Sequence, residues 1–187
     1  MLYCKPFFCL KDLMRKTLVQ SLIVFCCILL TSDTVFADYS VVSEKKSSET
    51  FAERVLKLKT YLELQGSILS THSEKFVEIA DKYGLRYSFL PAICGRESTF
   101  AKHYIKGTFN CYGWGPSIKF QSWEDGIEKV AKGLKENYIT KWGKDTVGEI
   151  APIYAESQTW ASGVSLFIAQ IESTKIPSEH HELEPSL

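Results

Sequence analysis

Apolar residues recur at helical spacing through most of the chain beyond residue 50. Phe51, Val55, Leu58 and Leu62 share one face up to Gly66, with Thr50 and Glu53 spaced as a capping box at its start. Thr71 and Glu74 repeat that box before Phe76, Ile79, Ala80 and Tyr83, and Gly84 stops the pattern. Ser88 is placed to cap a third helix, with Pro91 in its first turn and Leu90, Ile93, Cys94 and Glu97 along one face. From Ala101 to Gln121 the periodicity is lost: Gly107, Gly113, Gly115 and Pro116 break any helix while Tyr104, Phe109, Tyr112, Trp114 and Phe120 crowd the interval. Helical spacing returns after Ser122 (Trp123, Ile127, Val130, Ala131, Leu134, Tyr138), after the Thr146–Glu149 box in a segment that Pro152 keeps short, and from Trp160 to Ile171. The pattern predicts a mainly α domain over residues 50–174, with about six helices and one irregular lobe that has room for short strand pairing.

The first 37 residues stand outside this pattern. Lys5, Lys11, Arg15 and Lys16 precede an apolar run, Leu18–Leu30, of secretory length and short for a membrane span, and Val35-Phe-Ala37 offers a cleavage site. Residues 1–37 are expected to be a signal peptide, the alternative being an uncleaved anchor and the only contact with a membrane. The product is then secreted or cell-wall associated. Residues 38–49 are polar and unperiodic and are expected to form a linker; residues 175–187 are acidic and proline-flanked and are expected to be a disordered tail.

Removing the leader takes four of the 22 basic and two of the 22 acidic residues, which leaves the mature chain at −2. That balance and the lack of a basic run speak against nucleic acid as a partner. Four of the six cysteines go too, leaving Cys94 and Cys111. Two cysteines in an exported chain suit one disulfide, tying the third helix to the loop after it; two separate buried thiols are the alternative. No histidine or cysteine spacing suits a metal ion, and no cofactor is expected. A monomer is expected.

Glu97 is the candidate for chemistry. A carboxylate on the inner face of a helix is costly unless it is paired, hydrogen-bonded or neutral, and desolvation there would keep it protonated for acid catalysis. The alternative is an idle glutamate at a helix end. A twenty-residue loop in a compact domain is usually functional, and aromatic rings on a glycine-rich loop after a candidate acid fit a sugar-stacking surface, although such rings also plug cores.

With Glu97-Ser-Thr-Phe100, Asn110, Gly113, Phe120-Gln-Ser-Trp123 and Ile153-Tyr-Ala155 in that order, the chain resembles lysozyme-like peptidoglycan hydrolases over about residues 52–172. It is most similar to the glucosaminidase family of cell-wall enzymes (mannosyl-glycoprotein endo-β-N-acetylglucosaminidase-like), and more distantly to soluble lytic transglycosylases. The resemblance implies a lysozyme-like helical domain with a cleft, peptidoglycan glycan strands as partner, and cleavage of their β-1,4 bonds with Glu97 as general acid. Tyr154 matches the late tyrosine that faces the catalytic glutamate. Asn110 and Gly113 match the loop that lines the cleft, and with Phe100, Tyr112 and Trp114 they are the expected substrate contacts. Two features depart from the pattern. Tyr112-Gly-Trp-Gly115 replaces the usual transglycosylase loop piece, and residues 101–120 leave little room for a second lobe bearing another glutamate. A lytic transglycosylase using the same residue, or a cell-wall binding module without catalysis, is the alternative.

Overall fold

A computed structural model describes residues 38–42, 49–115 and 117–176. The expected signal peptide, most of the expected linker and the expected tail lie outside the described residues. Among the described residues six α-helices carry the fold, as the apolar spacing predicts: α1 (Phe51–Leu64), α2 (Ser73–Tyr83), α3 (Phe89–Ser98), α4 (Trp123–Gly133), α5 (Val147–Tyr154) and α6 (Trp160–Glu172). Three of the five caps read from sequence are present. Thr50 and Glu53 close a reciprocal box on α1, the Ser122 hydroxyl accepts the Asp125 amide, and the Thr146 hydroxyl accepts the Glu149 amide.

Two starts differ from the expectation. The Thr71 hydroxyl donates to the Ile68 carbonyl inside a 3-10 turn, Ile68–His72, that Ser67 caps, so α2 grows out of that turn without a side-chain cap. Ser88 donates to Glu172 Oε1 at 2.6 Å and leaves the start of α3 without a side-chain cap. Glu172 also receives Arg86 Nη1 at 2.8 Å, so the end of α6 is locked to the start of α3. Beyond Gly133, α4 continues as a π-helical segment, Leu134–Lys141.

The core is one cluster with α3 inside it. Phe89, Leu90, Pro91, Ala92, Ile93, Cys94, Gly95 and Ser98 are all buried, so α3 has no solvent-facing stripe, and it packs most extensively on α6. No strand forms among the described residues of the 101–121 lobe. The described residues contain two isolated antiparallel bridges, Ser40↔Thr146 and Val42↔Leu85, both made by the stretch expected to be a linker. Residues 38–42 are therefore a strap on the domain. Val41 is fully buried, its amide donates to Asp145 and its carbonyl accepts Arg86, while the Asp38 carboxylate accepts the Gly148 amide in the first turn of α5. One buried valine in five residues leaves no period to read, and the backbone bonds that hold the strap leave no mark in sequence.

Candidate active site

The buried helix α3 breaks the surface only in its last turn, at Arg96 and Glu97. Glu97 is exposed, which corrects the expectation of an enclosed inner-face carboxylate: its turn lies past the edge of the core that surrounds the rest of α3. The chain leaves α3 through Thr99, Phe100 and Ala101, all left-handed at φ 52, 57 and 61. Three such non-glycine residues in succession are strained, and strain of this kind persists where surrounding contacts over-determine it. Here the Phe100 amide donates to Cys94, the His103 amide donates to Ser98, and the buried Ser98 hydroxyl accepts the Ala101 amide while standing 2.9 Å from the Cys111 carbonyl.

That turn sends Phe100 inward. Its ring meets Tyr61 and Phe167 edge-on, at 5.5 and 4.9 Å between centroids, and rests on Gly95, where a Cβ would stand 2.5 Å from it. Phe100 is therefore a core residue rather than a substrate contact. Tyr112 is corrected in the same way. It is 1 % exposed, its hydroxyl has no hydrogen-bond partner among the described residues, and burial holds its phenol well above the ordinary range. Composition shows that a loop carries aromatic rings; it does not show which of them the loop turns into the core.

The loop after α3 is fastened at several points. The Cys94–Cys111 disulfide is present, with 5.1 Å between Cα atoms. Asn110 organises the next turn: its Oδ1 accepts the amides of Tyr112 and Trp114, and its Nδ2 donates to the carbonyls of Trp114 and Ile118. Asn110 thus shapes the loop from within. Gly113 has φ 62, and a Cβ there would stand 2.8 Å from Glu97 Oε2, so the position requires glycine both for conformation and for the approach of the carboxylate. Trp114 is half-buried, lies against Gly133, and stands beside Tyr138 and Tyr154, forming a wall.

The other oxygen of Glu97 is held from α6. Trp160 Nε1–H donates to Oε1 at 2.7 Å, a contact across 63 residues of sequence. Tyr154 stacks on the Trp160 ring, 4.8 Å between centroids and 28° between planes, and its hydroxyl donates to the Tyr112 carbonyl at 2.7 Å. Burial, with the Glu97 charge second, holds the Tyr154 phenol protonated well above its usual range. Tyr154 is expected to face the catalytic glutamate; its hydroxyl is engaged with the backbone instead, and it reaches Glu97 through Trp160. Helical spacing places Trp160 only on the inner face of the last helix, and nothing in that spacing links it to Glu97.

Glu97 opens onto a pocket of about 150 Å³, lined also by His103, Thr108, Asn110 and Gly113. Ile105 and Ile118, 68 and 42 % exposed, line it together with Tyr104, while the expected stacking rings Phe100, Tyr112 and Trp114 are not in the lining. Among the described residues, Glu97 is the only carboxylate in this lining. Glu124 pairs with His72 at 2.8 Å and is held below the usual carboxylate range, first by the Ser122 hydroxyl, while the Asp125 carboxylate accepts the Gln121 amide. Glu156 is exposed in the turn after α5. The arrangement offers one fixed carboxyl group, with an indole donor on one oxygen, at the mouth of a pocket with polar and apolar sides. No protein-family model matches the chain, and no curated protein shows significant similarity to it.

Proposed function

We propose that the protein is an exported glycosidase of lysozyme-like, glucosaminidase-related type that cleaves β-1,4 bonds in peptidoglycan strands with Glu97 as general acid. The observation that carries the reading is the setting of Glu97: one oxygen bound by Trp160, the other over Gly113, at the end of a buried helix and facing an open pocket. The ordered sequence matches from Glu97 to Tyr154 supply the substrate class. In the reaction the acid form of Glu97 gives its proton to the bridging oxygen as the glycosidic bond breaks, and the Trp160 N–H stabilises the carboxylate left behind. Tyr154 positions Trp160 rather than touching the reacting atoms.

Canonical glycoside hydrolysis uses two carboxyl groups, and the described residues of the pocket lining hold one. That favours completion by the substrate itself. The 6-hydroxyl of the sugar being released attacks its own anomeric carbon and returns its proton to Glu97, leaving an anhydro end; attack by the N-acetyl oxygen followed by water leaves a reducing end. Release of muropeptides from purified sacculi by wild type and by Glu97→Gln tests the proposal. Wild type is expected to release them and the variant to lose nearly all release. Equal release by both would remove Glu97 from the role of acid, and wild type that binds sacculi but makes neither reducing nor anhydro ends would be a binding module.

A further inference from the structure

Arg96 shares the exposed last turn of α3 with Glu97, yet it does not line the pocket. Among the described residues no carboxylate pairs with it. Its guanidinium reaches the turn ahead of α6 instead. Nη2 donates to the Thr159 hydroxyl at 2.9 Å and to the Ser157 hydroxyl at 3.4 Å, and those two hydroxyls stand 3.1 Å apart. Residues 156–159 are all exposed, so no buried side chain anchors the turn from which Trp160 emerges. The Trp160 amide donates to the Ser157 carbonyl at 3.1 Å, and the turn therefore sets where α6 begins. Two local features fit this contact and nothing else nearby. Thr159 occupies the N-cap of α6, but its hydroxyl faces Arg96 and the helix has no side-chain cap, although such a cap ordinarily stabilises a helix start. Gly163 lies one turn into α6, where glycine weakens a helix, and a Cβ there would stand 2.9 Å from Arg96 Cδ. The Arg96 stem thus lies along the start of α6 in space that glycine leaves open.

We propose that Arg96 is a positioning residue for the acid: it clamps residues 157–159 to the end of α3 and so keeps the Trp160 N–H on Glu97 Oε1. One helical turn then carries both the carboxyl group and the cation that fixes its indole donor. Tyr154 holds the Trp160 ring from one side by stacking, and Arg96 holds the backbone that delivers it from the other. Exposed hydrogen bonds of this kind add little to global stability, so the effect of the clamp is on placement. Placement is what a donor to a reacting carboxyl group depends on, because the bond weakens steeply with distance and angle. The inference rests on the glycosidase reading above for the role of Glu97 in turnover, while the clamp itself is a property of the fold.

Two readouts on the full exported protein test this, one of them independent of turnover. The first is the Trp160 indole N–H resonance, assigned by its loss in Trp160→Phe. In Arg96→Ala it is expected to move upfield, toward an unbonded indole, and to exchange with water about three- to tenfold faster, the order of one hydrogen bond. Ser157→Ala combined with Thr159→Val cuts the same clamp from the other end and is expected to give the same change. The second readout is turnover of soluble peptidoglycan strands. Arg96→Ala is expected to lower kcat about three- to tenfold with KM and melting temperature nearly unchanged, and to cause no further loss in a Trp160→Phe background. An indole resonance and exchange rate unchanged in both clamp variants would overturn the inference. So would a loss of kcat that adds in full to that of Trp160→Phe, since Arg96 would then act apart from the indole. A rise in KM with kcat unchanged would also overturn it, by making Arg96 a substrate contact. Failure of wild type to cleave the strands would instead count against the glycosidase reading, leaving the indole readout to decide the clamp on its own.

Discussion

Trp160 holds Glu97 with its indole N–H and rests its ring on Tyr154, so one side chain does two things that substitution can separate. Trp160→Phe keeps a ring for Tyr154 to stack on and removes the donor. A hydrogen bond to a charged group is worth roughly 1.5–3 kcal/mol, so turnover on sacculi is expected to fall about ten- to a hundredfold with a small change in melting temperature. A large drop in melting temperature with unchanged turnover would make Trp160 a packing residue only. Tyr112 gives the opposite expectation. Its buried hydroxyl has no partner among the described residues, and removing an unsatisfied polar group is neutral or stabilising, so Tyr112→Phe is expected to keep or raise stability in denaturant melts and leave activity unchanged. Lost substrate affinity in that variant would return Tyr112 to the substrate surface. Glu97, Asn110 and Gly113 were legible as residues because each has a chemistry or a conformation that few side chains share. Phe100 and Tyr112 were not, because an aromatic ring on a loop reads the same whether it faces water or core, and the left-handed run that turns Phe100 inward contains no glycine to announce it.

That left-handed run is where the element carrying the site meets its loop, and it makes the end of α3 both strained and tightly held. Thr99 is the C-terminal cap of α3 at φ 52, a position that glycine occupies without steric cost and a β-branched residue does not. Thr99→Gly is therefore expected to gain about 0.5–1 kcal/mol, read as a higher midpoint in urea. A loss would show that contacts of the Thr99 side chain outweigh its strain. The Cys94–Cys111 bond acts on the same junction from the other side. Closing 17 residues, it is expected to contribute about 3 kcal/mol through the unfolded chain, measured as the difference between melts with and without reductant. At this scale the helices were readable because apolar residues recur along each at fixed spacing and three of the six open on a hydroxyl cap. The strap at residues 38–42 and the bare starts of α2 and α3 were not, because backbone pairing and a carboxylate arriving from α6 settle them.

Over the whole molecule, the same burial that builds the core sets an alkaline limit to its stability. Tyr61 is pushed up to about 12 by desolvation, and Tyr87, Tyr112 and Tyr154 are raised too, with desolvation the first cause for each. A phenol raised on folding is neutral in the native state at pH values where the unfolded chain has already released the proton. Its contribution is therefore intact below the unfolded value of about 10 and is lost as pH rises through the folded value. Lys82, raised by its hydrogen bond to Glu128, carries the same sign, but that pair lies in solvent and contributes little. Unfolding free energy from urea melts is accordingly expected to stay level from about pH 7 to 9 and to fall steeply above about pH 10. Phenolate absorbance separates the phenols from the lysines: the buried phenols ionise only as the chain unfolds. Tyr61→Phe removes one of these phenols and is expected to make the fall above pH 10 shallower, although it gives up the hydrogen bond from the Tyr61 hydroxyl to Gln170 and lowers stability at neutral pH. A fall equally steep in the variant, or phenolate absorbance rising in one step before unfolding, would place the alkaline limit in the ion pairs instead of the core.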